Sequence, residues 1–250
     1  MDLSFSLEGK SAMITGASSG IGAFLAEVLA RKGAEVMQAA RREDALERVA
    51  QKIRAAGGHV RTVVLDVVDK ASRERALAAC ERIDILINNA GIVREQSALK
   101  HSEEDWDDVM DTNLRGLFFM AQGAARLMRD AGGGSIINIA SILAFRQAGG
   151  VVSYAVSKSA VVQMTKSLAL EWARHGIRVN ALAPGYFDTE LNAAFWETSL
   201  GEALVNRIPQ RRIGQLTDLA GPLLLLASDA SSYMTGSTLV VDGGHLTSTL

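Results

Sequence analysis

Near the start of the chain, Thr15 to Gly22 reads TGASSGIG. Two chemistries use such a turn. Gly16-Ala17-Ser18-Ser19-Gly20 matches G-x-S-x-G, the sharp strand-to-helix turn that exposes a nucleophilic serine. Gly16, Gly20 and Gly22 also form a glycine-rich turn that lets backbone N–H groups approach a dinucleotide pyrophosphate. A nucleophile here needs an Asp and then a His further along, for which Asp242 and His245 are nominal candidates. It also needs oxyanion donors from a loop after an earlier strand. Only one strand-like run precedes this turn, which disfavours the nucleophile. The phosphate reading has its own bland rival, a Gly/Ser turn that only caps a helix. The spacing, G-x3-G-x-G, also departs from the usual G-x-G-x-x-G.

A second pair lies far along the chain. Tyr154 and Lys158 are four residues apart in a helical pattern and so share a face. A free phenol titrates near pH 10 (about) and is a poor base near neutrality. A neighbouring ammonium stabilises the phenolate and lowers that value, which would make Tyr154 a general acid/base. Taken alone, the pair is equally a solvated Tyr/Lys couple. Ser141 follows a strand-like run, at the edge where open α/β sheets bind ligands; a turn or cap serine looks the same in sequence. The four histidines, His59, His101, His175 and His245, show no metal-ligand spacing.

Apolar strand-like runs alternate with helical patterns and would position these groups. Strands are expected at Ser11–Thr15, Ala34–Ala39, Val60–Leu65, Ile83–Asn88, Ser135–Ala140, Ile177–Ala183 and Ser237–Val241. Helices are expected at Gly20–Lys32, Glu43–Ala56, Lys70–Glu81, Ser102–Asp130, Val152–His175 and Leu216–Ser228. Most strand runs are continuously apolar, as for strands covered on both faces. The rhythm predicts an α/β protein: a Rossmann-type, doubly wound, seven-stranded parallel sheet with helices on both faces and right-handed crossovers. The 250 residues fit a single domain. Tyr186 to Arg212 holds no clear periodicity from Trp196 onward and is expected to be a small helical insertion over the site.

Bulk composition excludes some partners. With 26 basic and 28 acidic residues the net charge is −2, which gives no electrostatic pull toward nucleic acid or an anionic membrane. The single cysteine, Cys80, rules out an intrachain disulfide and a cysteine-cluster metal site. The first residues, MDLSFSLEGK, lack a signal-peptide pattern, so a cytoplasmic protein is expected.

Together the motifs resemble the short-chain dehydrogenase/reductase family in its single-domain form. The resemblance runs over nearly the whole chain and rests on Thr15-Gly16-x-x-x-Gly20-x-Gly22, Asn88-Asn89-Ala90-Gly91, Asn113, Ser141, Tyr154-x-x-x-Lys158 and Pro184-Gly185, in the family's order. It implies an oxidoreductase that exchanges hydride between a nicotinamide cofactor and a carbonyl/alcohol pair. Tyr154 would be the general acid/base, Ser141 would orient the substrate oxygen, and Lys158 would hold the nicotinamide ribose. Asn113 would extend a proton relay. Cofactor contacts are implied at Gly16, Ser18, Ser19, Gly20, Ile21, Gly22, Asp66, Val67, Asn89, Ala90, Gly91, Tyr154, Lys158, Pro184, Gly185 and Thr189.

The second strand ends in Ala40, where an acidic residue would favour NAD(H), and continues into Arg41-Arg42. A guanidinium suits a 2′-phosphate, so NADP(H) is expected over NAD(H). Ketoacyl-carrier-protein reductases, sugar-acid dehydrogenases and broad carbonyl reductases are resembled equally. Phe145, Val151, Tyr186, Phe187, Phe195 and Trp196 form either an apolar substrate mouth or packing. Many relatives are tetramers, so a homotetramer is expected, with Trp172 and the C-terminal segment near its interfaces. The link Ala79–Ile83 is shorter than usual and is expected to tighten a turn away from the site. The rival reading is a non-catalytic nucleotide-binding sensor or scaffold on the same fold.

Overall fold

The computed structural model describes residues 5–189 and 193–248. Seven strands pair in parallel among the described residues: β1 (Ser11–Thr15), β2 (Glu35–Ala40), β3 (Val60–Val64), β4 (Ile85–Asn88), β5 (Gly134–Ile139), β6 (Ile177–Pro184) and β7 (Thr238–Val241). Their order in the sheet is β3-β2-β1-β4-β5-β6-β7. The chain winds outward from β1 and then restarts at β4 on its other side. That reversal opens a crevice at the C-terminal ends of β1 and β4.

Two apolar layers explain the continuous hydrophobic runs. On one face α1 (Gly20–Arg31) and α2 (Glu43–Ala55) pack Leu25, Leu29, Leu46 and Ile53 against Ile14, Ile85, Ile87 and Ile137. On the other, α3 (Lys70–Ala78) contributes Ala76 against the alternate strand residues Met13, Leu86 and Ile136. Neighbouring strand residues thus serve opposite layers, as the pleat requires. The tight link beyond α3 also reaches this second layer, through buried Cys80 and Ile83. The Asp84 carboxylate then accepts from the Ser11 N–H at 2.8 Å, and Arg82 pairs with it, locking the start of β4 to β1.

The expected helix Ser102–Asp130 is interrupted. α4 (Glu103–Met110) and α5 (Leu117–Asp130) flank a π-helical segment, Asp111–Gly116. Such bulges cluster at functional sites, and this one contains Asn113. α6 runs Val152–Trp172 and ends in a 3-10 turn, Ala173–His175. The insertion forms two short helices, α7 (Ala193–Trp196) and α8 (Ser199–Val205); its residues 190–192 lie outside the described residues. α9 is confined to Ala220–Ala227, behind a 3-10 turn over Leu216–Leu219, because Pro222 suits only a first helical turn. Among the described residues no helix is long and apolar enough to cross a membrane.

Candidate active site

The glycine turn leads from β1 into α1 and is held from β4. Thr15 Oγ1 accepts from the backbone N–H groups of Asn89 (3.0 Å) and Ala90 (3.1 Å). Asn89 Nδ2 donates back to the carbonyls of Thr15 and Gly16, both at 3.1 Å. The two loops are therefore one unit, and Asn89 spends its amide on shaping the turn. Gly16 has φ +67°, and a Cβ there would stand 2.8 Å from Ala90 Cα. A Cβ on Gly22 would collide with Asn89 Nδ2 and the Gly16 carbonyl. Gly20, at φ +54°, faces open space instead. No side chain caps the start of α1: Ser19 sits at the N-cap position without a side-chain bond to the helix. Backbone N–H groups and the helix dipole are thus available to an anion. Ile21 packs partly into the first apolar layer.

Arg42 Nη2 donates to Ser18 Oγ (3.2 Å) and Ser19 Oγ (3.0 Å), tying the end of β2 to this turn. Arg41 is exposed beside it. The geometry also disposes of the serine nucleophile. Ser18 Oγ receives a guanidinium and no imidazole, and the Asp242 carboxylate is occupied by the N–H groups of Gly244 and Leu246.

Asp66 and Val67 follow β3. The Asp66 carboxylate accepts from the Val68 N–H at 3.0 Å. Buried Arg73 donates to the carbonyls of Val67 (2.6 Å) and Val68 (2.8 Å) and lies over the Phe119 ring. Val67 is buried against Gly116 of the π-helical segment, where a Cβ would meet its carbonyl at 2.7 Å. Nothing in the sequence marked Arg73 as the latch of this loop.

On the other side of the crevice a buried polar frame joins β4, β5 and α6. Asn88 Nδ2 donates to Asn138 Oδ1 (3.0 Å), and Asn138 Nδ2 donates to Thr165 Oγ1 (2.9 Å). Asn113 accepts from the Ile92 N–H (2.8 Å) and donates to the Ile92 carbonyl (2.9 Å) and to Ser157 Oγ (3.1 Å). Ser157 Oγ in turn donates to the Tyr154 carbonyl at 2.7 Å. Asn113 therefore clamps the loop after β4 to the turn of α6 that carries Tyr154. Gly91 lies inside this clamp; a Cβ there would meet Asn113 Oδ1 at 3.3 Å and Lys158 Nζ at 3.5 Å. Asn138, Thr165 and Ser157 were not singled out in the sequence. A polar residue inside an apolar strand run was the available signal for Asn138.

Ser141, Tyr154 and Lys158 converge at the C-terminal end of β5. Ser141 opens a 3-10 turn over Ile142–Ala144, and its Oγ accepts from the Leu143 N–H at 3.1 Å. The same hydroxyl hydrogen-bonds the Tyr154 phenol, so it is both a cap and a site group. Lys158 Nζ is buried, donates to the Ile139 carbonyl at 2.7 Å and stands 5.6 Å from the Tyr154 ring centroid.

The expected fall in the phenol's pKa is reversed in this structure. Burial raises Tyr154 above 10.0; the Ser141 hydrogen bond opposes that, and the neighbouring Tyr186 phenol adds to the rise. Burial lowers Lys158 itself from 10.5 to about 8. Desolvation dominates both groups.

Pro184 ends β6, and Gly185 follows where a Cβ would stand 2.8 Å from Asp242 Cα, so the chain leaving β6 can pass this close to the end of β7 only as a glycine. Thr189 sits at the end of the described stretch, next to residues 190–192. Of the expected mouth residues, Phe187 is core: it is buried, and Gly214 lies against its ring. Phe145 and Phe195 are exposed. Tyr186 stands between Trp196 (centroids 5.8 Å) and His245 (5.7 Å).

Comparison with known proteins agrees with this arrangement. The family model described as enoyl-(acyl carrier protein) reductase matches residues 16–245. A gluconate 5-dehydrogenase of Gluconobacter oxydans (strain 621H) is 43% identical over 245 residues, 96% of each chain. A 3-oxoacyl-(acyl-carrier-protein) reductase of Escherichia coli (strain K12) is 37% identical over 241 residues, 95% of this chain and 97% of its own. The crystal structure of a gluconate 5-dehydrogenase from Burkholderia cenocepacia J2315, in complex with NADP and tartrate, is 40% identical with a TM-score of 0.93, covering 98% of both chains. With a matching model across most of its length, full-length relatives and a parallel sheet of the same architecture, this chain belongs to the short-chain dehydrogenase/reductase family, an oxidoreductase family acting on CH–OH groups.

Proposed function

We propose that the protein is an NADP(H)-dependent oxidoreductase that interconverts a ketone and a secondary alcohol on a sugar-acid-like small molecule, with Tyr154 as general acid/base. The observation that carries this reading is the convergence of the Ser141 hydroxyl, the Tyr154 phenol and the buried Lys158 ammonium beside the glycine turn. The cofactor fits the residues present. Gly16 and Gly22 leave a cradle that a Cβ would fill, and the start of α1 has no side-chain cap. Arg42, with Ser18 and exposed Arg41, provides a cationic, hydroxyl-lined seat for a 2′-phosphate where an acidic residue would repel it. Relatives bound to NADP and named for gluconate support the choice of cofactor and substrate class.

When bound, the cofactor supplies or accepts hydride at the substrate carbon. Ser141 holds the substrate oxygen against Tyr154. In reduction Tyr154 donates its proton to that oxygen, and burial keeps the phenol protonated for the task near neutrality. In oxidation Tyr154 must accept the proton, and the Ser141 hydrogen bond favours the phenolate. Lys158 binds the nicotinamide ribose and lends positive charge. Asn113 positions both through Ile92 and Ser157. Asp66, Val67, Ala90, Gly91, Pro184, Gly185 and Thr189 line the remaining cofactor path. We take residues 1–250 as one domain in a cytoplasmic homotetramer, which the exposed apolar side chains of Phe119 and Leu170 on α5 and α6 support.

Reduced-nicotinamide absorbance, followed with D-gluconate and NADP or NAD, and with a 3-oxoacyl thioester and NADPH or NADH, tests the proposal. Oxidation of gluconate is expected, with NADP favoured by about tenfold or more. Turnover of the thioester alone would move the substrate class to acyl chains. Binding of neither cofactor would overturn the reading of the glycine turn.

A further inference from the structure

Arg146, Arg207 and Arg211 open onto one cavity of about 610 Å3. Thr247 and Ser248 form part of its wall, and among the described residues no acidic side chain lines it. Among the described residues none of the three arginines joins an ion pair. The cavity stands at the ligand-binding edge of the sheet: Arg146 follows β5, Arg207 and Arg211 lie between β6 and β7, and Ser248 follows β7. Arg146 Nη1 is fixed there by donating to the His245 carbonyl (2.5 Å) and Ser248 Oγ (3.1 Å). Arg211 donates to the Asn206 carbonyl. The Arg207 guanidinium has no hydrogen-bond partner among the described residues.

His245 gives the second observation. It is 2% exposed, yet neither ring nitrogen has a hydrogen-bond partner. A buried imidazole without a partner is costly unless a ligand supplies one. Burial, and then Arg146, hold the imidazole below its usual pKa; Asp242 opposes them and Arg207 adds a smaller pull in their direction. A neutral imidazole retains one N–H to donate. Its other neighbour is Tyr186, whose phenol in turn reaches Tyr154 electrostatically. His245 thus has Arg146 on its carbonyl and the Tyr186 ring beside its own.

We propose that Arg146 and Arg207, with the unpartnered His245 held next to Arg146, form a carboxylate-recognition subsite that selects an acidic substrate. The inference rests on the dehydrogenase reading above. Guanidinium groups match a carboxylate in charge and in planar geometry.

Titration calorimetry on the NADP-saturated protein tests this with D-gluconate and with D-glucitol, in which the carboxylate is replaced by a neutral alcohol. Gluconate is expected to bind about tenfold or more tightly than glucitol. In Arg207→Gln, an exposed position without a structural bond, that preference collapses while NADP affinity is unchanged. Equal binding of the two in the wild type, binding of neither, or an intact preference in Arg207→Gln would overturn the subsite and leave the dehydrogenase reading standing. Failure to bind NADP would instead remove the reading on which the subsite rests.

Discussion

The frame between β4, β5 and α6 and the insertion at residues 186–212 face the same crevice but are built on opposite rules. In the frame most polar side chains are answered from within the fold: Asn113 by Ile92 and Ser157, Asn138 by Asn88 and Thr165, Lys158 by the Ile139 carbonyl. Beside it, the insertion leaves Trp196 Nε1, the Arg207 guanidinium and the facing His245 ring without partners among the described residues. Satisfied buried networks hold groups rigidly. Unsatisfied ones beside a cavity await a ligand. On the proposed reading, the first region fixes the chemistry and the second selects what undergoes it.

Substitutions can sharpen or break this contrast. The largest effect is expected in the frame, at Lys158. Lys158→Met should lower kcat by about a hundredfold or more. It also carries a pH signature. Because burial lowers Lys158 from 10.5 to about 8, the unfolded chain holds a proton between those pH values that the native state has released. Stability then rises with pH across that window: burial of the ammonium opposes folding fully below pH 8 or so, and the opposition fades above it. The melting temperature of the wild type should therefore gain on that of Lys158→Met between about pH 7 and pH 10. A constant difference would contradict the buried ammonium.

Asn113→Ala comes next. It strands the Ile92 N–H and carbonyl, at a cost of about 1–3 kcal/mol for each buried group left unmatched. Denaturant unfolding should show the loss, and kcat should fall with little change in substrate KM. On the cofactor side, Arg42→Ala should weaken NADPH about tenfold while sparing NADH; equal losses would remove the 2′-phosphate assignment. Arg41→Ala should do the same less strongly. The smallest stability effect is expected in the insertion: Trp196→Ala should shift unfolding by about 0.5 kcal/mol or less while raising substrate KM. A destabilisation as large as that of Asn113→Ala would erase the contrast between the two regions.

The sheet and the Tyr154–Lys158 pair were legible in the sequence, whereas Asn138, Thr165 and Ser157 of the frame carry no motif. Buried runs such as Ile85–Asn88 and residues 181–184 of β6 can be satisfied only by cover on both faces. The Tyr154 and Lys158 spacing forces a common helical face. Asn113 was visible as a residue poorly suited to a helix, but the π-helical segment around it was not, because its cause is the tertiary pull of Ile92 and Ser157. The direction of the Tyr154 shift in the protein without cofactor was hidden for a related reason: helical spacing shows that a lysine is near, not that the phenol is buried deeply enough for desolvation to dominate. The choice between Arg41 and Arg42 depended on side-chain direction at a strand end, which residue order does not encode. The insertion was least legible, since its polar groups lack internal partners and its aromatics divide between core, as Phe187, and surface, as Phe195.

Tyr154→Phe tests the central claim most directly. It removes one hydroxyl from the side chain hydrogen-bonded to Ser141 and leaves the glycine turn, Arg42 and Lys158 in place. NADPH affinity measured by fluorescence and turnover measured by reduced-nicotinamide absorbance should separate: binding unchanged, kcat reduced by about a hundredfold or more. Undiminished turnover in Tyr154→Phe would contradict the assignment of the proton step to this phenol.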